Sequence, residues 1–269
     1  MNNGPVVVTT LGTRGSVPVS GREFSRYGGA TFCVVIRSAD GIVVLDAGTG
    51  LMKLSSCLRG ERNIPIFLTH GHADHLLGFP VCPEVLNSNY EMHVYGVSRE
   101  GRDARAQIGK LMSAPLWPIG SDQLPANIVF HEMGESIELN GILVECMEGC
   151  HPGGVTLYRV TAGGKKIVCL TDCTINEENR DRLLEFCRNC DLLLCDGQYS
   201  DDEWEKRAHF GHNTWSSAAQ FGADCGAGAV RLLHHDPAHT DEVLERAEKQ
   251  VKSICAVCSI AYDGEETEL

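Results

Sequence analysis

The chain has 269 residues, 43% of them hydrophobic, which is enough for one large layered domain or two small ones. Its formal charge of −13 weighs against a long nucleic-acid partner, because such partners are gripped through basic patches. No uninterrupted apolar run of about 18 residues occurs, so no membrane span is expected, and thirteen cysteines without an evident framework read as reduced, buried thiols of a cytoplasmic protein.

Met1-Asn2-Asn3-Gly4-Pro5 lacks the charged and apolar regions of an export signal and runs straight into a strand, Val6 to Leu11. Cys33 to Arg37, Ile42 to Leu45 and Ile64 to Thr69 read as further strands of a first sheet, with a helix from about Gly50 to Leu58 before the last. The run Phe67-Leu68-Thr69-His70-Gly71-His72-Ala73-Asp74-His75 closes that strand. It crowds four metal-capable side chains, His70, His72, Asp74 and His75, into six positions. His70 and His72 share one side of an extended segment, whereas Asp74 and His75 lie past the turn and point elsewhere, so the loop can serve two neighbouring ions.

Gly96 to Pro125 breaks the rhythm and reads as a lid insert. Arg99, Arg102, Arg105 and Lys110 fall along roughly one helix if Ser98 caps it, either as a basic patch or as a solvated face. Ala114-Pro115-Leu116-Trp117-Pro118-Ile119-Gly120 cannot be regular throughout. Its Trp117 either stacks on a substrate ring or packs the insert to the body.

A second wave of strands follows at Ile142 to Met147, Thr156 to Val160, Lys166 to Leu170, Leu192 to Cys195 and Val230 to Leu233. Helices are predicted from about Glu177 to Cys187, Thr214 to Phe221 and Asp241 to Ala256. The last of them carries Val243, Leu244, Ala247, Val251 and Ile254 at helical spacing behind the acids Asp241 and Glu242. Cys187, Cys190 and Cys195 match no common metal spacing. Two sheets face to face with helices outside account for this order: an α+β, four-layer αββα sandwich, residues 1–269 as a single domain without linker or repeat.

The HxHxDH string is the signature of the metallo-β-lactamase superfamily, which this chain resembles. Later ligands in that family arrive singly at strand ends. The matching positions here are His151 in Cys150-His151-Pro152-Gly153-Gly154, Asp172 in Leu170-Thr171-Asp172-Cys173-Thr174, and His234 after Val230 to Leu233. His235 competes with His234, which fits the family position better. The resemblance implies one ion on His70, His72 and His151, a second on Asp74, His75 and His234, and Asp172 bridging both. Nitrogen and oxygen ligation suits Zn, Mn or Fe, and Cys173 is expected to pack and not to ligate.

Further strings narrow the resemblance. Leu11-Gly12-Thr13-Arg14-Gly15-Ser16-Val17-Pro18, Tyr27-Gly28-Gly29-Ala30-Thr31, Leu45-Asp46-Ala47-Gly48-Thr49-Gly50, Asp196-Gly197-Gln198-Tyr199, Gly211-His212-Asn213-Thr214 and His234-His235-Asp236-Pro237 look like a bacterial branch near ribonuclease Z and class II cyclic-nucleotide phosphodiesterases. The match runs from about residue 6 to 240. It implies a hydrolase in which two divalent ions share a bridging hydroxide that attacks a phosphodiester, with His212 and Asp74 as catalytic residues. His212 would steady the phosphoryl charge or protonate the leaving group. Asp46 would orient a ligand histidine, Asp196 would stand beside the site, and Arg14 or Lys110 could add a distant positive charge.

Ribonuclease Z relatives hold transfer RNA with an extended basic arm that is not visible here, which favours a small phosphodiester such as a cyclic nucleotide. Two other readings stay open. One is a di-iron oxygen-binding sensor that signals to a partner protein. The other is an acyl hydrolase, a thioesterase or lactonase, against which the His212 motif argues. The sequence predicts no membrane partner and leaves a homo-oligomer open.

Overall fold

The computed structural model describes residues 4–269; Met1 to Asn3, part of the N-terminal stretch read for export, lie outside the described residues. A first sheet holds β1 (Val7–Gly12), β2 (Cys33–Ser38), β3 (Gly41–Leu45), β4 (Asn63–Phe67), β5 (Glu91–Gly96) and β6 (Asn127–Glu132). A second holds β7 (Ser136–Leu139), β8 (Ile142–Gly149), β9 (Val155–Ala162), β10 (Lys165–Leu170), β11 (Leu192–Asp196), β12 (Ala229–Leu233) and β13 (Cys258–Ile260). The last strand, β14 (Glu265–Glu268), returns to pair with β1, giving seven-stranded sheets ordered β14-β1-β2-β3-β4-β5-β6 and β13-β12-β11-β10-β9-β8-β7.

Alternation along the strands sets the layers. In β2, Val34 and Ile36 point between the sheets while Cys33 and Val35 point outward; in β11, Leu192 and Leu194 face inward while Leu193 and Cys195 face outward. Three apolar layers result. The middle one joins Val34, Leu45 and Phe67 to Tyr158, Ile167 and Leu194 across the sheets. One outer layer seats α1 (Ala104–Leu111) through Ala104 and Ile108. The other seats α2 (Arg180–Cys187), α4 (Trp215–Asp224) and α5 (Asp241–Ile254) through Leu183, Phe221, Leu244 and Val251. The chain is thus the four-layer α+β sandwich expected from its two waves.

Local chemistry moves several boundaries. The helix expected over Gly50 to Leu58 is a 3-10 run, Thr49–Ser56, pressed so closely on β1 that a Cβ on Gly50 would lie 2.6 Å from Gly12 N. Ser98 does not cap a helix: its backbone N–H and hydroxyl both donate to Glu132, and Arg99 and Arg102 pair in a tight bridge around Gly101 at φ 75°. Helix α1 begins only at Ala104, where the Asp103 carboxylate accepts from Ala106 N at 2.8 Å. Arg99 and Arg102 therefore stand off the helix that carries Arg105 and Lys110. Trp117 packs half-buried against the outer core beside α1.

Candidate metal centre

Most of the polar side chains of interest stand at the carboxyl ends of parallel strands in both sheets; His151 instead follows β8, which is antiparallel to its neighbours. Asp46 follows β3 and the His70 loop follows β4 in the first sheet, where β3, β4 and β5 run parallel. Asp172 follows β10, Asp196 ends β11 and His234 follows β12 in the second, again along parallel neighbours. Asp46, Asp172 and His234 have φ of 60°, 53° and 63°. That left-handed conformation costs a non-glycine residue about 1–3 kcal/mol and bends the chain sharply off the strand line.

All seven residues named as ligands come together in two overlapping groups. His70, His72, His151 and Asp172 form one, and Asp74, His75, Asp172 and His234 the other; in each, donor atoms lie within 4.8 Å of one another. In the first group His151 Nε2 is 3.2 Å from His72 Nδ1, and the Nε2 atoms of His70 and His151 lie 3.7 and 3.6 Å from Asp172 Oδ2. In the second, His75 Nε2 is 3.4 Å from both Asp74 Oδ2 and Asp172 Oδ2, and His234 Nε2 is 3.2 Å from Asp74 Oδ2 and 3.0 Å from Asp172 Oδ1. Ligands about 2.0–2.1 Å from a tetrahedral ion stand about 3.3–3.4 Å apart. The observed spacings bracket that value, and Asp172 offers oxygens to both groups, so the donor set fits a pair of divalent ions.

Neighbouring groups hold the donors in place. Asp46 Oδ2 sits 2.7 Å from His75 Nδ1, leaving Nε2 for the cleft, and also accepts from the Thr69 hydroxyl. The Gly211 carbonyl faces His151 Nδ1 at 3.2 Å, and the Ser16 backbone N–H donates to Asp74 Oδ2 at 2.7 Å. Gly15 has no room for a side chain: a Cβ there would lie 2.3 Å from His234 Nδ1.

The electrostatics suit cations. Burial lowers the pKa of His70, His72 and His151, so they present neutral imidazoles. Burial also opposes ionisation of Asp74 and Asp172, yet the surrounding histidines drive both carboxyls well below the usual range. His75 shows the converse: burial would discharge it, but Asp172, Asp74 and Asp46 raise its pKa well above the usual value. Buried carboxylates this concentrated need compensating positive charge.

His212 stands beside both groups, with Nδ1 2.6 Å from Asp196 Oδ2. Burial pulls its pKa down, but the Asp196 carboxylate overrides this and raises it to about 9. His212 precedes α4, whose cap is Thr214, accepting from Ser217 N.

Other candidates lie elsewhere. His235 turns into the core, with Nε2 2.8 Å from the Ala261 carbonyl oxygen. Arg14 is fully buried and donates to the carbonyls of Gly28, Asp236 and His239, so it ties loops together and supplies no charge to the cleft. Lys110 lines a groove adjoining His70 and His72, together with Arg99, Arg102 and Gln107. Cys173 is buried, and its sulfur accepts from Cys150 N. Cys187, Cys190 and Cys195 are buried and enter no metal-capable group among the described residues.

The cleft over the ligands is about 850 Å³, and its far wall escaped sequence reasoning. It comes from α3 (Asp201–Arg207) and the following turn, which bring Lys206, Arg207, His209 and Phe210 to the site. The signal available was the Ser200-x-x-Glu203 capping box, in which the Ser200 N–H donates to Glu203 at 2.8 Å.

Residues 42–235 match the beta-lactamase superfamily domain. Ribonuclease Z of Bradyrhizobium diazoefficiens is 22% identical over 287 aligned positions, covering 87% of this chain and 91% of that one. The metallo-beta-lactamase fold protein YhfI from Bacillus subtilis superposes with a TM-score of 0.77 at 19% identity, over 99% of this chain and 100% of its own. A diphosphatase of the PhnP family does so at 0.72 and 18%, over 98% of each. With its sandwich, its strand-end ligand loops and this match over most of its length, the chain belongs to the metallo-β-lactamase superfamily, with ribonuclease Z among its sequence relatives.

Proposed function

We propose that this metal-dependent, phosphodiesterase-type hydrolase acts on small phosphodiesters, cyclic-nucleotide-like compounds among them, with His70, His72 and His151 holding one ion, Asp74, His75 and His234 a second, and Asp172 shared. Bound there, two divalent ions supply Lewis acidity toward phosphoryl oxygens and water activated near neutral pH. The observation that carries the reading is the His212–Asp196 pair beside the two donor groups. Asp196 fixes the Nδ1 proton of His212 and favours its cationic form, so Nε2 is left to donate toward the cleft. A proton held at that atom can neutralise charge on a phosphoryl oxygen or pass to the departing alkoxide.

A small substrate is supported by the cleft of about 850 Å³, within the usual span of about 300–1,000 Å³ for small-ligand sites, and by the net charge of −13, which opposes long polyanions. Ribonuclease Z relatives carry an RNA-processing name, whereas the PhnP-family neighbour is called a diphosphatase. No helix among the described residues is long and apolar enough to cross a membrane. The test is hydrolysis of bis-p-nitrophenyl phosphate and of cyclic nucleotides by protein loaded with Zn or Mn. Turnover that vanishes on chelation and returns with metal supports the proposal; no turnover with either metal overturns it.

A further inference from the structure

We infer that a second small-molecule site lies behind α3 and takes an amino alcohol, a compound carrying both an ammonium and a hydroxyl. The cavity there is about 630 Å³ and shares no lining residue with the metal cleft. Its walls come from Asp201, Asp202 and Glu203 in the first turn of α3, from Trp215 at the start of α4, from His239 and from α5. The last turn of α3 serves the metal cleft through Lys206 and Arg207, so one short helix parts the two spaces. The site does not depend on which ester the metal centre cleaves.

Two buried ring nitrogens mark the place where the ligand belongs. Trp215 and His239 are 5% and 4% exposed, their ring centroids are 5.2 Å apart, and neither Trp215 Nε1 nor His239 Nδ1 has a hydrogen-bond partner among the described residues. Buried polar groups are almost always paired, and an indole N–H can only donate. His239 Nε2 lies 3.0 and 3.1 Å from the two carboxylate oxygens of Glu203, which keeps a proton at Nε2 and leaves Nδ1 of the neutral ring as an acceptor. The pair is therefore one donor beside one acceptor. A hydroxyl satisfies both, accepting from Trp215 and donating to His239, whereas a carbonyl or carboxylate would turn a lone pair toward Nδ1 and an ammonium cannot accept the indole proton.

The rim sets the charge of the rest of the ligand. Asp201 is held in place, its Oδ2 accepting from Ser216 and Gln250 at 2.6 and 2.9 Å, and Asp202 stands beside it on the same wall. Arg246 on α5 lies 3.7 Å from Glu242, so its charge is already balanced, and the acids of α3 leave the rim negative. An ammonium answers that charge while the hydroxyl reaches the ring nitrogens.

The test is calorimetric titration of metal-loaded, full-length protein, in an amine-free buffer, with trans-2- and trans-4-aminocyclohexanol and with two compounds that each lack one group, cyclohexylamine and cyclohexanol. At least one amino alcohol should bind about 5- to 100-fold more tightly than either single-group compound, the factor for one buried hydrogen bond otherwise left unmade. Trp215→Phe keeps an aromatic ring and removes the N–H, so it should erase the advantage over cyclohexylamine. Asp202→Asn should shrink the advantage over cyclohexanol; Asp202 is exposed, so this variant keeps the fold and decides the matter if Trp215→Phe does not fold. No advantage for either amino alcohol in the wild type overturns the site. Binding that neither variant moves also overturns it, because the amino alcohol would then be held elsewhere, on the metals included.

Discussion

Asp196 holds His212 from behind: Oδ2 lies 2.6 Å from His212 Nδ1, while Oδ1 accepts from the backbone of Gln198 and Asn213 at 3.1 and 3.3 Å. The carboxylate is fully buried and its orientation is fixed by main chain, so the imidazole it steers is fixed too. His212→Ala should keep both ions and lower turnover of a model phosphodiester by about 10²- to 10⁴-fold. Asp196→Asn should lose activity in the same direction by releasing the tautomer. Elemental analysis beside steady-state kinetics checks both, and loss of metal from His212→Ala would make the residue structural.

Asp172 and His234 differ in what they serve. Asp172 offers oxygens to both donor groups, whereas His234 belongs to the second ligand set. Asp172→Ala should disrupt both ions, and His234→Ala should chiefly release one. Native protein that never binds more than one ion per chain would reject the binuclear reading.

Gly15 gives a prediction that no ligand search would reach. A methyl group at residue 15 must displace the His234 ring, since its Cβ would lie 2.3 Å from Nδ1. Gly15→Ala should therefore weaken the second ion at least tenfold while the far-ultraviolet circular dichroism stays native. Metal titration of the variant against wild type measures this; unchanged affinity would mean that the loop moves aside.

A catalyst and an oxygen sensor part on redox. Zn- or Mn-loaded protein should cleave phosphodiesters, since Lewis acidity needs no change of oxidation state. A di-iron sensor should prefer iron, colour reversibly in air and cleave nothing. Oxygen-dependent absorbance without phosphodiester cleavage in one iron-loaded sample would replace the hydrolase reading.

Much of this was legible in the sequence because it is local. The loop from His70 to His75 announces itself in six positions, and apolar strands such as Cys33 to Arg37 and Leu192 to Cys195 needed no tertiary context. The hidden parts depend on partners. In β5, Glu91 and His93 interrupt the apolar pattern because they bond each other, His131 and Asn127 at the sheet's edge region. In β14, Glu265-Glu266-Thr267-Glu268 lacks any apolar stripe and is a strand through its pairing with β1. Helix α3 is likewise polar apart from Trp204 and is held by its cap, so the wall it carries could not be inferred from periodicity.

The ligand loops arise from two different sheets. His70, His72, Asp74 and His75 follow a strand of the first, and His151, Asp172 and His234 follow strands of the second. Ions bound in this seam would act as rivets between the halves, so the melting temperature should track free metal concentration. A hundredfold excess over the dissociation constant adds about 2.7 kcal/mol per site. Metal supply would then govern how long the protein survives in a cell as well as how fast it works, and a chain starved of metal should open along the seam first.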